Sequence, residues 1–394
     1  MHIVCDENIP LATELFGHHG QITRVDGRTL TRQVLLDTGA DALIVRSVTK
    51  VNASLIANTA VSFVGSCTIG VDHLDTVALQ DQGTRWCNAP GSNAQSVVEY
   101  VVSALAAVDK LNTIKTCAVI GCGNVGSAVA RELRLLGIEV CAYDPFLAVD
   151  PNRPSDIPFV GLPEAMSCDL VSLHTPLTHG GAHPTFAMIG HSALAHLPQD
   201  AVVLAAGRGG VLVEEAMVDM AKKRADISWV LDVWENEPRV DASVFAMASI
   251  ATPHVAGYSL EGKQNGTWQV YQKFCERFHL PSLERPVSGA LVDIDVTNAL
   301  SRNGRFNVGE SLKYLALQVY DPRRDQKAMK DALFASSQDE EGRWFDRLRR
   351  NYPVRRERSA YRFHCAGPKH ADVDFDRFAK LMHQCKQLGF TVSP

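Results

Sequence analysis

Arg208, Glu237 and His254 are residue types that together suit one reaction, the oxidation of a hydroxyl next to a carboxylate. Removing hydride from such a carbon requires a base for the hydroxyl proton and a fixed positive charge for the carboxylate and the developing carbonyl. A histidine side chain ordinarily has a pKa near neutral, so the residue type at His254 suits the base. Glu237 can orient the ring and stabilise its charged form. Arg208 keeps its charge and presents a fork that matches a carboxylate. Each has a blander use, as a solvated cation, a turn residue before Pro238 or a locally satisfied imidazole. Their joint placement in loops that follow expected strands favours the chemistry.

The stretch Lys115–Asp144 supplies the element that must position them. An apolar run, Cys117-Ala118-Val119-Ile120, breaks into Gly121-Cys122-Gly123-Asn124-Val125-Gly126, and a helical pattern then runs through Leu136 to Gly137. A second run, Ile138–Tyr143, ends in Asp144, completing the length of a βαβ unit. Gly121 suits the tight turn, Gly123 a close approach to a pyrophosphate, and Gly126 close packing of helix on strand. Asp144 would bond the adenosine ribose. A carboxylate there repels a 2′-phosphate and Pro145-Phe146 offers no cation, so the expected cofactor is NAD and not NADP.

Short apolar runs alternate with helical patterns on both sides of this unit. Strands are expected at Ile3–Cys5, Ala42–Val45, Phe63–Gly65 and Arg85–Cys87, and beyond the glycine turn at Asp169–His174, Ala201–Ala206 and Trp229–Val233. The alternation implies parallel sheets, in which ligands sit at the carboxyl ends of strands. Arg46-Ser47 and Ser66–Gly70 are therefore candidate substrate loops, and a terminal phosphate could be held near Arg46, Ser47, Lys50 and Thr68. A helix over Leu260–Phe278 is long enough to return the chain to its first domain. The expected architecture is α/β: two Rossmann-like, doubly wound parallel-sheet domains plus a small C-terminal α+β domain. The expected boundaries are 1–92 with 258–282 for the substrate domain, 93–257 for the NAD domain and 287–394 for the C-terminal domain. The last has helical patterns at Glu310–Val319, Gln326–Phe334 and Phe375–Leu388, and strands at Tyr361–Cys365 and Phe390–Val392.

Composition narrows the classes. With 394 residues, 46% hydrophobic and 21% charged, the chain can bury more than one core. A net charge of −5 gives no general reason to expect nucleic-acid or membrane partners. The ten cysteines show no zinc-like spacing, so free thiols in a reducing cytoplasm and no metal site are expected. The basic run Arg347–Arg358 reads as a solvated or dimer-facing surface, with anion binding as the alternative.

Val119–Gly126, Leu173-His174-Thr175-Pro176-Leu177, Gly207-Arg208-Gly209, Leu231–Trp234 through Glu237-Pro238, and Thr252–Gly257 together resemble the D-isomer-specific 2-hydroxyacid dehydrogenases over about residues 1–280. Asp6–Pro10, Val45–Val51, His254–Lys263 and a C-terminal extension with Val319-Tyr320-Asp321 and Arg323-Arg324-Asp325 resemble a branch acting on a phosphorylated 2-hydroxy acid. The resemblance implies catalytic roles for Arg208, Glu237 and His254, substrate contacts at Arg46, Ser47, Thr68 and Tyr258, and a homodimer formed through the C-terminal domain. It implies NAD contacts at Gly121, Gly123, Asn124, Val125, Gly126, Asp144, Thr175, Ala206, Gly207, Arg208, Asp232 and Gly257. Tyr258 could equally pack as an aromatic under the hinge. His174 is expected to support the cofactor loop. Ala205 departs from the family, where many members carry an Asn that supports the turn, and Thr178–Ala187 reads as a flexible loop. A 3-phosphoglycerate-type dehydrogenase and a non-catalytic NAD-sensing protein resembling a corepressor are the alternatives.

Overall fold

The computed structural model describes residues 1–286, 290–295, 308–336, 342–364 and 383–393. The chain separates into two compact units, Met1–Ala94 with Tyr258–Gly289 and Gln95–Gly257 with Ala290–Pro394. In the first unit β1 (His2–Asp6), β2 (Gln21–Val25), β3 (Ala42–Val45), β4 (Phe63–Ser66) and β5 (Arg85–Cys87) form a parallel sheet in the order β2-β1-β3-β4-β5. Strands β3 and β4 are buried along their whole length because helices cover both faces. One face is closed by the helix Leu260–Phe278, whose Val270, Tyr271 and Phe274 pack with Ile3, Phe16, Ile44 and Phe63. Phe16 meets Tyr271 and Phe274 edge to face at 5.5 and 5.2 Å.

The second unit is built on β6 (Thr116–Ile120), β7 (Glu139–Tyr143), β8 (Leu170–Leu173), β9 (Val202–Ala205), β10 (Ser228–Leu231) and β11 (Ile250–Ala251). Their order, β11-β10-β9-β8-β6-β7, is parallel throughout and reverses direction between β6 and β8. Such a reversal opens a crevice outside the carboxyl ends of the two strands. Alternate residues of these strands feed two cores, one against the helix Ala94–Ala107 and the other containing Trp229, Trp234 and Phe245.

The C-terminal segment has a parallel sheet of its own, with β12 (Val292–Asp295), β13 (Tyr361–His364) and β14 (Thr391–Ser393) in that order. Its helices Val308–Val319, Pro322–Ala335 and Arg343–Arg350 nevertheless belong to the second unit's cores. Ala316 and Tyr320 join the face lined by the helix Ala94–Ala107, while Met329, Trp344 and Phe345 join the other. Burying side chains of this size stabilises by about 1.5–3 kcal/mol each. The expected helix at Phe375–Leu388 lies largely outside the described residues.

The basic run Arg347–Arg358 is solvated only in part: Arg347 and Arg350 are exposed, whereas Arg355 and Arg358, against expectation, are each only 6% exposed. Arg358 forks onto both carboxylate oxygens of Glu132, with Nη2 donating to Oε2 at 2.8 Å, and its backbone amide donates to Glu99 Oε1 at 3.0 Å. Burial pushes the Glu99 carboxyl up, a shift that Arg358 opposes. We predict that Arg358→Met lowers unfolding stability by about 3–5 kcal/mol, since buried carboxylates lose their counter-charge. Those groups then favour protonation when folded, so the deficit read from urea curves is larger at pH 8 than at pH 5.

Candidate active site

Five of the six loops at the carboxyl edge of the six-stranded sheet form a contiguous row. They carry Gly121 after β6, His174-Thr175 after β8, Arg208 after β9, Asp232 to Glu237 after β10, and His254 after β11. At about 4.8 Å per strand, these loops line an edge of roughly 20 Å.

The turn after β6 is tight for steric reasons. Gly121 has φ +85°, and a Cβ there would lie 2.9 Å from the Thr175 amide nitrogen across the β6/β8 switch. A Cβ on Gly126 would lie 2.0 Å from the Gly121 carbonyl oxygen, so only glycine lets the helix Asn124–Leu135 seat on its strand. Over Gly123 a Cβ would meet open space, and among the described residues no side chain caps the helix there. Its first-turn N–H groups therefore face the crevice without intrahelical partners. Asp144 closes the turn from β7: Oδ2 accepts from the Cys122 amide at 3.0 Å and Oδ1 from the Leu147 amide at 3.1 Å. Each oxygen keeps a further lone pair for a ribose hydroxyl.

Next along the edge, His174 is half-buried with its Nδ1 shielded from solvent, and its Nε2 is 2.8 Å from Ser172 Oγ. Burial lowers its pKa to about 4, so the ring is neutral at physiological pH. Thr175 is 8% exposed, and its Oγ1 is buried with no partner among the described residues. The loop Thr178–Ala187, expected to be flexible, is clasped at its base. Thr178 N donates to Thr185 Oγ1 at 2.8 Å, and Thr185 Oγ1 donates to the Pro176 carbonyl at 2.6 Å.

Arg208 stands between two close approaches. A Cβ on Gly207 would lie 3.0 Å from the Thr175 carbonyl oxygen, and one on Gly209 only 1.7 Å from that of Trp234. The neighbouring loops thus hold this turn where Ala205 cannot supply an amide side chain. Arg208 Nη1 donates to the Gly207 carbonyl at 3.0 Å.

Glu237 and His254 come together directly. His254 Nδ1 and Glu237 Oε2 are 2.8 Å apart, and Glu237 Oε1 accepts from the Trp234 amide at 2.9 Å. Burial raises the Glu237 carboxyl, but His254, the Trp234 amide and Arg349 outweigh it and hold the group below its usual range. With Nδ1–H donating to that carboxylate, Nε2 is the nitrogen left to exchange a proton. His254 itself has φ +57°, a backbone that costs a non-glycine residue about 1 kcal/mol or more.

Asp232 holds that backbone. Its Oδ1 accepts from Thr252 Oγ1 at 2.6 Å and the Val255 amide at 2.8 Å, and its Oδ2 accepts from the Ala256 amide at 2.8 Å. The sequence reading missed this role; the only signal for it was an acid placed directly after a strand. Trp234 adds a bond from Nε1 to the Thr252 carbonyl at 3.0 Å.

The first unit carries the expected substrate residues. Arg46 Nε bonds Asp6 Oδ1 at 2.9 Å where β1 and β3 part, and Asp6 is 1% exposed. Ser47 beside it is exposed. Thr68 Oγ1 lies 2.8 Å from Ser66 Oγ, which is also 2.9 Å from His73 Nε2. Asp6 and His73 thus stand behind Arg46 and Ser66 at these strand ends. Tyr258 has the Lys263 ammonium 5.0 Å above its ring.

Comparison with known proteins shows the family of the chain. Residues 100–256 match the D-isomer specific 2-hydroxyacid dehydrogenase NAD binding domain. The chain is 43% identical over 359 residues to an erythronate-4-phosphate dehydrogenase of Cellvibrio japonicus, covering 91% of this chain and 93% of the relative. The chain belongs to the erythronate-4-phosphate dehydrogenase family. A second member, from Marinobacter nauticus, is 43% identical over 373 residues, 93% of this chain and 95% of that one. A solved NAD-bound 3-phosphoglycerate dehydrogenase of Entamoeba histolytica shares the fold, with TM-score 0.58 and 23% identity over 73% of this chain and 99% of its own. Residues 291–376 match a family described only as a domain of unknown function.

The chain is accordingly an NAD-dependent 2-hydroxyacid dehydrogenase. The open space over Gly123, the uncapped helix and the carboxylate of Asp144 fit a dinucleotide. Among the described residues no helix is long and apolar enough to cross a membrane, and no cluster of His, Cys, Asp and Glu could hold a metal ion.

His174 makes one site residue a stability probe. The unfolded chain binds a proton there as pH falls through 6.5, whereas the folded chain resists protonation down to about 4. The group's contribution is therefore intact above 6.5 and lost between 6.5 and 4, to an extent on the order of 3 kcal/mol. In urea unfolding, His174→Gln is expected to lose less stability than the wild type between pH 7 and pH 4.5.

Proposed function

We propose that this enzyme oxidises 4-phospho-D-erythronate to 2-oxo-3-hydroxy-4-phosphobutanoate, a step toward pyridoxal phosphate. The observation that carries the reading is near full-length similarity to relatives named for that substrate, in a chain with a paired His254 and Glu237. Bound NAD supplies the hydride acceptor. His254 Nε2 takes the C2 hydroxyl proton, and Glu237 stabilises the resulting imidazolium through Nδ1. Arg208 grips the substrate carboxylate with its fork and polarises the oxygen that becomes the carbonyl.

Asp144 takes the adenosine ribose, the amides of Asn124 and Val125 the pyrophosphate, and Thr175, Ala206, Gly207, Asp232 and Gly257 line the rest of the cofactor. Arg46, Ser47, Thr68 and Tyr258 bind the substrate's phosphate and hydroxyls. The enzyme acts in the cytoplasm as a homodimer built through residues 287–394, a reading supported by exposed Leu291, Val292, Phe334 and Val354 in that segment. Sedimentation of the full chain at twice the protomer mass is the expected result.

The assay that tests the substrate is NADH formation with 4-phospho-D-erythronate beside 3-phosphoglycerate. Faster turnover of the first is expected; preference for the second would reassign the substrate. NADH binding with no turnover of either would leave a cofactor sensor. His254→Ala is expected to slow turnover by about 10²- to 10⁴-fold with NADH binding retained. For Arg208→Lys the expected loss in kcat/KM is about 10²-fold, because a point charge cannot replace the fork.

A further inference from the structure

The C-terminal segment reaches the loop that carries His254. Arg355 Nη1 donates to the Val255 carbonyl at 3.2 Å, and Nη2 donates to the Ala256 carbonyl at 3.1 Å. The same Nη2 donates to the Ser96 carbonyl at 2.5 Å and to Ser96 Oγ at 2.9 Å, and Ser96 Oγ in turn donates to the Ala256 carbonyl at 2.8 Å. The guanidinium lies 4.0 Å from the centre of the Tyr320 ring, and Tyr320 also comes from the C-terminal segment.

Val255 and Ala256 are the two residues whose amides Asp232 holds. Both residues are therefore held on their two backbone sides, the N–H groups by a buried carboxylate and the C=O groups by a buried guanidinium. His254, directly before them, has its backbone in the left-handed region. A non-glycine residue stays there only where its surroundings over-determine it. Asp232 alone fixes the amide side of the turn; the carbonyl side is fixed by Arg355 and Ser96.

We propose that Arg355 is a positioning residue for His254, and that one task of the C-terminal segment is to hold the His254 loop in its proton-transferring geometry. A guanidinium suits this task because its planar fork serves several carbonyls at once without being deprotonated. The inference rests on the assignment of His254 as the acid/base.

The test compares Arg355→Met and Arg355→Lys with the wild type and with His254→Ala, all as full-length protein. Steady-state kinetics with 4-phospho-D-erythronate and NADH binding by fluorescence are the readouts. Misplacing an acid/base group slows the chemical step more than it weakens binding. Arg355→Met is expected to lower kcat by about ten-fold or more, with KM and NADH affinity within about three-fold of wild type. Arg355→Lys should recover part of kcat, since an ammonium still donates to one or two of the carbonyls. If the Met variant does not fold, the Lys variant decides, with reduced kcat at unchanged NADH affinity as the supporting result. Wild-type kcat in a folded Arg355 variant, or losses in kcat and NADH affinity that run in parallel, overturns the positioning role. Undiminished turnover in His254→Ala overturns the acid/base assignment itself, a result distinguishable from failure at Arg355.

Discussion

The site depends on a carboxylate that never meets solvent. Asp232 is 1% exposed, and its three acceptor contacts join the end of β10 to the loop after β11. Burial pushes this carboxyl up, against the opposing pull of His254 and of its donors Thr252, Val255 and Ala256. A buried anion is tolerated only when it is well bonded, so the bonds that keep Asp232 also keep the His254 turn. From that turn the order passes outward, to Glu237 through Nδ1, to Trp234 through the Glu237 carboxylate, and to the arginine loop through Gly209 against the Trp234 carbonyl.

What could be read from the sequence followed local signals. The expected helix Leu260–Phe278 matches the observed one end to end, and the glycine turn stands between its two strands as its spacing requires. Strand β2, Gln21–Val25, was missed because its residues are mostly polar and none is fully buried, as suits an edge strand. Strand β11 is only two residues long, and no period can be read in two residues. The helix Arg343–Arg350 was missed because only Trp344, Phe345 and Leu348 among its eight residues are apolar, and its second half merges into the basic run.

Long-range polar pairing was the part that stayed out of reach. Arg358 and Glu132 are 226 residues apart, and Arg355 and Ser96 are 259 apart. A run of arginines gives no sign of which of its members will find a buried partner, and solvation is the ordinary outcome for such runs. Asp232 poses the same difficulty in smaller form. An acid after a strand points toward a ligand, whereas its partners here are amides more than twenty residues downstream.

The first sheet also has a history in time. Its five strands lie within the first 94 residues, yet the helix that seals one face starts at Leu260. At a synthesis rate of roughly 5–20 residues per second, the nascent sheet waits about 10–40 s for its cover. During that interval Phe16, Phe63 and Ile44 present an open apolar surface on the ribosome. A discontinuous unit of this kind therefore creates a window for chaperone capture that a contiguous one would avoid.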